Sequence, residues 1–280
     1  MATAIVTDST AYIPKEIRER LNIHIIPLSV NFGDESFEEE ITISVEEFFT
    51  KVKEGKQYPK TTQPSVGKFE ELYSNLAKDY DEIVTIHISS GISGTYECAL
   101  QAAKMVENVE VHGFDSGIAA AALAFYAVEA AEMANNGANA VEILQRLEVL
   151  HDSIEAYFVV DNLIHLQRGG RLSLTSAVLG SMLQIKPVLH MENKKIAMFE
   201  KVRTHKKALL RVQQLLQDAI VKHGAVKAVV MHSDSEADAI KWMGELQQQF
   251  PDVAFELSYF GPVLATHLGP GALALTWRKI

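Results

Sequence analysis

The first half of the chain alternates short β-branched runs with longer segments of helical periodicity, the pattern that a mostly parallel sheet covered by helices requires. Strands are expected at 4–7, 24–31, 83–88, 109–114 and 157–160, and helices at 14–21, 45–53, 66–78, 95–106, 118–135 and 140–151. Pro14 suits a first helical turn, and Gly137 stops the alanine-rich helix before it. After Asp161 the texture changes. A turn at Arg168-Gly169-Gly170-Arg171 precedes a short helix near 174–183, then a hairpin pairing 188–191 with 196–199. A long amphipathic helix at 206–222, a strand at 226–231, a helix at 237–249 and strands at 253–259 and 272–277 complete the chain. The expectation is α/β throughout, in two α/β domains. An N-terminal domain over 1–154 carries a mostly parallel sheet covered by helices, and a C-terminal domain over 155–280 carries a smaller mixed sheet with helices. With no glycine/serine linker between them, the two are expected to pack around a cleft.

Composition bounds the function. The chain has 280 residues, 48% hydrophobic and 22% charged, which is the balance of a soluble globular protein. A net charge of −10 speaks against nucleic acid as a partner, because a phosphate backbone rewards clustered Lys and Arg. The single cysteine, Cys98, excludes an internal disulfide and a cysteine-based metal cluster, and reads as a small buried apolar residue. The start, Met1-Ala2-Thr3-Ala4-Ile5-Val6, reads as a core strand and not as a leader, so a cytoplasmic location is expected. The apolar stretch 117–133 contains Glu129 and Glu132 and reads as a packed helix, not a membrane span.

The segment richest in chemistry is Ser89-Ser90-Gly91-Ile92-Ser93-Gly94-Thr95, where an apolar strand gives way to a helix. The first N–H groups of a helix lack intrahelical partners and carry partial positive charge, glycine lets backbone approach a ligand, and serine is a short donor. A capping role for Ser93 needs one hydroxyl, whereas this loop offers four. The loop also approaches the hydrolase elbow G-x-S-x-G, but Thr95 replaces the final glycine.

Further polar clusters follow strands, where open parallel sheets bind ligands. Thr7-Asp8-Ser9-Thr10 follows the first strand, and Asp115-Ser116-Gly117 follows the strand at 109–114. Each aspartate can form a structural turn or orient neighbouring hydroxyls. In Thr61-Thr62-Gln63-Pro64-Ser65, Ser65 can cap the next helix, which leaves Thr61 and Thr62 free. His267 stands before the rigid turn Gly269-Pro270-Gly271, where it can present a hydrogen-bond donor. Arg168 and Arg171 flank two glycines, a setting that can expose guanidinium groups to a phosphate or carboxylate. The remaining histidines, including His87 and His112, show no H-x-x-x-H pairing, so no metal site is expected. No phosphate-binding glycine motif supports nucleotide binding.

Taken in order, these six motifs resemble the DegV family of bacterial lipid-binding proteins, over the whole chain. The resemblance implies a long-chain fatty acid as bound ligand, with no cofactor. Carried over by motif, Thr61, Ser93 and His267 hold the carboxylate. Thr62, Gly94 and Arg171 lie near the head group or a partner, with Asp8, Ser9 and Asp115 in support. It also implies a non-catalytic role: the protein presents the fatty acid to the catalytic subunit of a fatty acid kinase, and the acyl-phosphate passes to phospholipid synthesis. Transient contact with a membrane or an acyltransferase fits that route. The chain departs from the family pattern at Tyr12, where a second aspartate is usual, at Thr62, where serine is usual, and at Gly91-Ile92. A fatty acid needs donors at one end and a dry tunnel behind them. Burying roughly 15 methylenes at about 0.8 kcal/mol each is worth on the order of 12 kcal/mol before ordering costs, so the tail supplies affinity and the donors supply orientation. The alternative from another class is a serine hydrolase, with Ser93 as nucleophile, His267 as base and Asp8 or Asp115 as orienter. A lipid sensor that docks to another protein is a third.

Overall fold

The computed structural model describes residues 2–55, 57–172 and 185–280. The chain divides into two compact units, Met1–Asp152 and Ser153–Ile280.

The first unit is built on a four-stranded parallel sheet, in the order β2-β1-β6-β7, from β1 (Thr3–Asp8), β2 (Ile23–Ile26), β6 (Glu82–His87) and β7 (Glu110–Asp115). Its two central strands, β1 and β6, are short, rich in β-branched residues and buried on both faces, as a covered parallel sheet demands. Helices α3 (Val66–Leu76) and α4 (Thr95–Ala103) cover one face, where Phe69, Tyr73, Ala99 and Ala102 pack on Ala4, Val6 and Ile83. The opposite face carries α5 (Ala121–Asn135) and α6 (Ala140–His151); Phe114 packs against Tyr126 there, with ring centroids 5.1 Å apart. The chain leaves β1 toward β2 on one side and later returns to β6 on the other. The loops after β1 and β6 therefore meet at the point where strand order reverses, which is where such sheets bind ligands.

Between β2 and β6 the chain makes an excursion that the sequence reading missed in part. The expected strand at 24–31 is two strands, β2 and β3 (Ser29–Phe32), interrupted at Pro27, which cannot donate to a ladder. β3 belongs to a separate antiparallel sheet, β4-β3-β5, with β4 (Glu35–Glu38) and β5 (Lys60–Thr62). The turn between β3 and β4 is Gly33-Asp34, and Gly33 has φ +61, which glycine adopts without cost. Local signals set the helix starts. Ser44 Oγ accepts from Glu47 N at 3.2 Å while Glu47 accepts from Ser44 N at 2.8 Å, so α2 (Val45–Glu54) begins with a capping box. Asn139 and Glu142 do the same for α6, and Ser65 caps α3 as the sequence suggests.

The second unit holds a six-stranded mixed sheet, in the order β10-β9-β8-β13-β11-β12. These strands are β8 (Glu155–Val159), β9 (Val188–Glu192), β10 (Lys195–Glu200), β11 (Val226–His232), β12 (Ala254–Tyr259) and β13 (Leu273–Lys279). β11 and β12 run parallel across a helix, and the other neighbours are antiparallel. A mixed sheet was expected, but the expectation that it is the smaller one is corrected. It exceeds the four-stranded sheet because β8 pairs with β9 and β13, while β3 leaves the first unit's main sheet for its own. The helices are α7 (Ile164–Arg168), α8 (His205–His223), α9 (Glu236–Gln249) and α10 (Pro262–Leu268). Val212 and Leu216 of α8 and Trp242 and Leu246 of α9 share a core with Leu275 and Trp277 of β13. Each such burial contributes roughly 1.5–3 kcal/mol. The expected helix near 174–183 lies outside the described residues. Among the described residues no helix is long and apolar enough to cross a membrane.

Candidate functional site

In the first unit, the carboxyl ends of β1, β6 and β7 deliver Asp8, His87 and Asp115 to one edge of the sheet. Asp8 is fully buried. Its Oδ1 accepts from Thr10 N at 3.1 Å and Thr10 Oγ1 at 2.5 Å, and its Oδ2 accepts from Ile88 N at 2.8 Å. His87 Nδ1 lies 3.1 Å from the same Oδ2. A carboxylate only accepts, so Nδ1 carries the proton on this side; Nε2 pairs with Thr85 Oγ1 at 2.5 Å, which accepts from the Tyr73 hydroxyl at 2.9 Å. Burial pushes the Tyr73 phenol well above its ordinary pKa and keeps it a donor. The whole chain of groups is shut from water, with the edge of the His87 ring against Phe69 at 5.1 Å. Its outer end holds Ile88, the residue that enters the serine loop.

Ser9 faces a second buried carboxylate, Glu39, which sequence reasoning missed. Ser9 Oγ donates to Glu39 at 2.6 Å and accepts from Leu28 N at 3.1 Å, while Tyr12 OH donates to Glu39 at 3.1 Å. Tyr12, the departure from the family pattern, sits at φ 48 and places its hydroxyl on this glutamate.

The serine loop is tied to the turn after β7. Ser90 gives both its N–H, at 3.1 Å, and its hydroxyl, at 2.5 Å, to Asp115, whose Oδ1 also accepts from Gly117 N at 3.2 Å. Ser116 Oγ donates to the His87 carbonyl at 2.7 Å, and Ser89 N donates to the Ile118 carbonyl at 2.8 Å. Ser89 Oγ accepts from Gly91 N at 3.3 Å. Ser93 is half-buried; its hydroxyl pairs with Thr95 Oγ1 at 2.9 Å and accepts from Thr95 N at a long 3.4 Å. The four hydroxyls thus divide: Ser89 and Ser90 shape the loop, and Ser93 and Thr95 form a pair at the start of α4.

The Thr61–Ser65 motif comes to the same place. Gln63 lies so close on Gly94 that a Cβ there would stand 2.6 Å from its amide nitrogen and oxygen, and Gln63 Nε2 donates to Cys98 Sγ at 3.2 Å. Cys98 is half-buried rather than enclosed, because this contact sits at the rim of the core. Thr61 and Thr62 are not loop residues. Both lie on β5, opposite Val30 and Ser29, and Thr62 Oγ1 accepts from Asn31 Nδ2 at 2.6 Å. The reading of Thr62 as free is corrected, because register on β3 brings Asn31 beside it.

His267 and Arg171 belong to the second unit. His267 is on α10, 9% exposed, and the α10 helix packs on α7. A Cβ at Gly169 would land on the His267 ring, and one at Gly269 would stand 2.5 Å from His165 Cδ2, so each glycine is the space into which an imidazole fits. Burial, with the Arg171 charge in addition, pushes His267 down to about 4, so at neutral pH the ring is uncharged and can offer a hydrogen-bond donor but no positive charge. Arg171 Nη1 donates to the Gly169 carbonyl at 2.5 Å and the side chain is half-buried. Of the two arginines read as able to expose a guanidinium, Arg168 is exposed, while Arg171 folds back on its own turn. Gly169→Ala is expected to displace the His267 ring and cost about 1–3 kcal/mol, measured by urea unfolding, since inserting a methyl into a filled space forces its neighbour to move. A wild-type unfolding midpoint in that variant counts against the packing of Gly169 on His267.

Comparison with known proteins covers the chain along its full length. A family model described as "Uncharacterised protein, DegV family" matches residues 2–279. The chain belongs to the DegV family. Protein DegV of Bacillus subtilis (strain 168) is 49% identical over 278 residues, covering 99% of each chain. Among solved structures, DegV from Bacillus subtilis, a fatty acid binding protein, superposes with a TM-score of 0.94 at 47% identity and covers 100% of both chains. A DegV family protein from Thermus thermophilus, described for its fatty acid binding, has a TM-score of 0.93 at 28% identity, again over 100% of both chains. The DegV fold therefore accounts for the whole of this chain, including the excursion that carries β5 and Gln63.

Proposed function

We propose that this chain binds a long-chain fatty acid and presents its carboxylate to a separate kinase subunit for phosphorylation to acyl-phosphate. The observation that carries the reading is the similarity, over all of both chains, to a fatty acid binding protein at 47% identity. The head-group contacts in this reading are the hydroxyls of Thr61 and Ser93 and the imidazole of His267. The same reading assigns Gly94, Thr62 and Arg171 to the neighbourhood of the head group or to a partner, and Asp8, Ser9 and Asp115 to a supporting role. The support geometry favours this division. Asp8, Ser9 and Asp115 are engaged with backbone amides and hydroxyls of the loops, which is what holding a loop requires. Neutral donors leave the carboxylate nucleophilic enough to attack a phosphoryl group, whereas a tight bidentate arginine quenches it. The protein itself supplies no chemistry in this role.

Denaturing extraction of the protein purified from a bacterial host, followed by mass spectrometry, is expected to release about one fatty acid per chain; finding none overturns the reading. Ser93→Ala is expected to weaken fatty acid binding about tenfold, the order of one lost hydrogen bond to a charged group. Affinity equal to wild type removes Ser93 from the head-group site. The kinase step is read separately, as ATP-dependent acyl-phosphate formation from the loaded protein and the catalytic subunit.

A further inference from the structure

At the amino ends of β6 and β7, opposite the serine loop, two carboxylates and an imidazole share one face of the parallel sheet. Glu82 and Glu110 are direct register partners, and His112, two residues beyond Glu110, pairs with Val84. Period-two alternation puts all three side chains on the face that carries α5 and α6. Like charges directly opposite each other on neighbouring strands are destabilising. Yet neither carboxylate pairs with a lysine or arginine among the described residues.

The three groups are held in an unfinished state. Glu82 is 6% exposed, and its hydrogen bonds, from Thr3 Oγ1 at 3.2 Å and Ala140 N at 3.0 Å, both go to Oε2. That leaves Oε1 for another partner. His112 Nε2 is shut from solvent and makes no hydrogen bond. Glu110 Oε1 is 3.4 Å from it, without the alignment of a hydrogen bond. One ligating atom from each residue lies within 4.8 Å of the other two. Atoms bound to one ion at about 2.0–2.2 Å stand at most about 4.4 Å apart, so a small closing movement completes the set. Glu110, 71% exposed, is free to make it.

We propose that Glu82, Glu110 and His112 bind a divalent transition-metal ion of the zinc class. One imidazole with two carboxylates is a borderline donor set that suits Zn2+, whereas Mg2+ and Ca2+ favour oxygen alone. Three protein ligands leave a position for water, and the site is remote along β6 from the residues of the proposed lipid head-group site. The ion neutralises the Glu82–Glu110 pair and joins β6, β7 and, through the bond from Ala140 N to Glu82, the start of α6.

The test uses the full chain stripped with a chelator and titrated with Zn2+ by calorimetry, with the melting temperature read in parallel. One saturable site per chain with a rise in melting temperature is expected. His112→Gln and Glu110→Gln are each expected to weaken that site at least tenfold while melting as wild type does in chelator. Should His112→Gln fail to fold, Glu110→Gln, at an exposed position, carries the test alone. The absence of saturable uptake by wild type, or affinity unchanged in the variant, overturns the proposal, the latter by placing the ion elsewhere on this acidic surface. Excess Mg2+ is expected to leave the Zn2+ isotherm unchanged; displacement by Mg2+ overturns the assignment to the zinc class.

Discussion

Replacing Asp8 by alanine is expected to cost about 3–5 kcal/mol in urea unfolding, the scale seen when one member of a buried, hydrogen-bonded polar pair is removed. The magnitude follows from what Asp8 leaves behind. Ile88 N, Thr10 N, the Thr10 hydroxyl and His87 Nδ1 all lose their acceptor in a site with no solvent exposure. An orphaned buried donor costs about 1–3 kcal/mol, and relaxation of the small cavity recovers part of the sum. Asp8→Asn is the informative companion. It keeps the volume but turns one accepting oxygen into a donor, which must face either Ile88 N and His87 or the two Thr10 donors. The His87 tautomer can adapt and the backbone amides cannot, so an intermediate loss is expected. Because Ile88 opens the serine loop, both variants are also expected to weaken fatty acid binding. A loss below about 1 kcal/mol in Asp8→Ala would show that the network through His87, Thr85 and Tyr73 does not hold this edge of the sheet.

That network also marks where reading the sequence stops. β1 and β6 are legible because each is a run rich in β-branched residues followed by a polar turn, and α3 because Ser65 stands where a cap must. The helices α7 and α10 are five and seven residues long, too short for a period to declare itself. β4 and β5 escape for a different reason. Glu35-Ser36-Phe37-Glu38 and Lys60-Thr61-Thr62 are short and mostly polar, and only pairing with β3 makes them strands. Motif order located the serine loop and the Thr61–Ser65 segment, but not that Gln63 covers Gly94. Asp8 and His87 are separated by 79 residues, and Ser9 and Glu39 by 30, so no local spacing announces either pair. Glu110-Val111-His112 has the spacing that places two ligands on one face of a strand; the third, Glu82, arrives only through strand register.

The stability of the second unit is expected to fall as pH drops from 6.5 toward 4, with His267 as a principal cause. Its pKa is lowered in the fold from 6.5 to about 4, by burial first and by Arg171 second. Between those values the unfolded chain binds a proton at this position and the folded chain does not, so the equilibrium shifts toward unfolding as acid is added. Each pH unit in that window costs about 1.4 kcal/mol, and the whole interval is worth on the order of 3 kcal/mol. Above pH 6.5 neither state is protonated there and the contribution is flat. In the same unit His165, His190, His205 and His232 are also lowered by burial and bend the curve the same way, so wild type alone does not isolate the cause. The measurement is therefore a difference: urea unfolding of wild type and of His267→Gln at pH 7, 6, 5 and 4. Glutamine keeps a polar group at the end of α10 and cannot titrate. Its penalty at pH 7 is expected to shrink, and then reverse in sign, as pH falls toward 4. A penalty that stays constant across the series would mean that His267 takes up its proton in the fold as readily as in the unfolded chain. The uncharged donor assigned to it for the fatty acid head group would then carry a cationic fraction near neutral pH and become a cation below about pH 6.5.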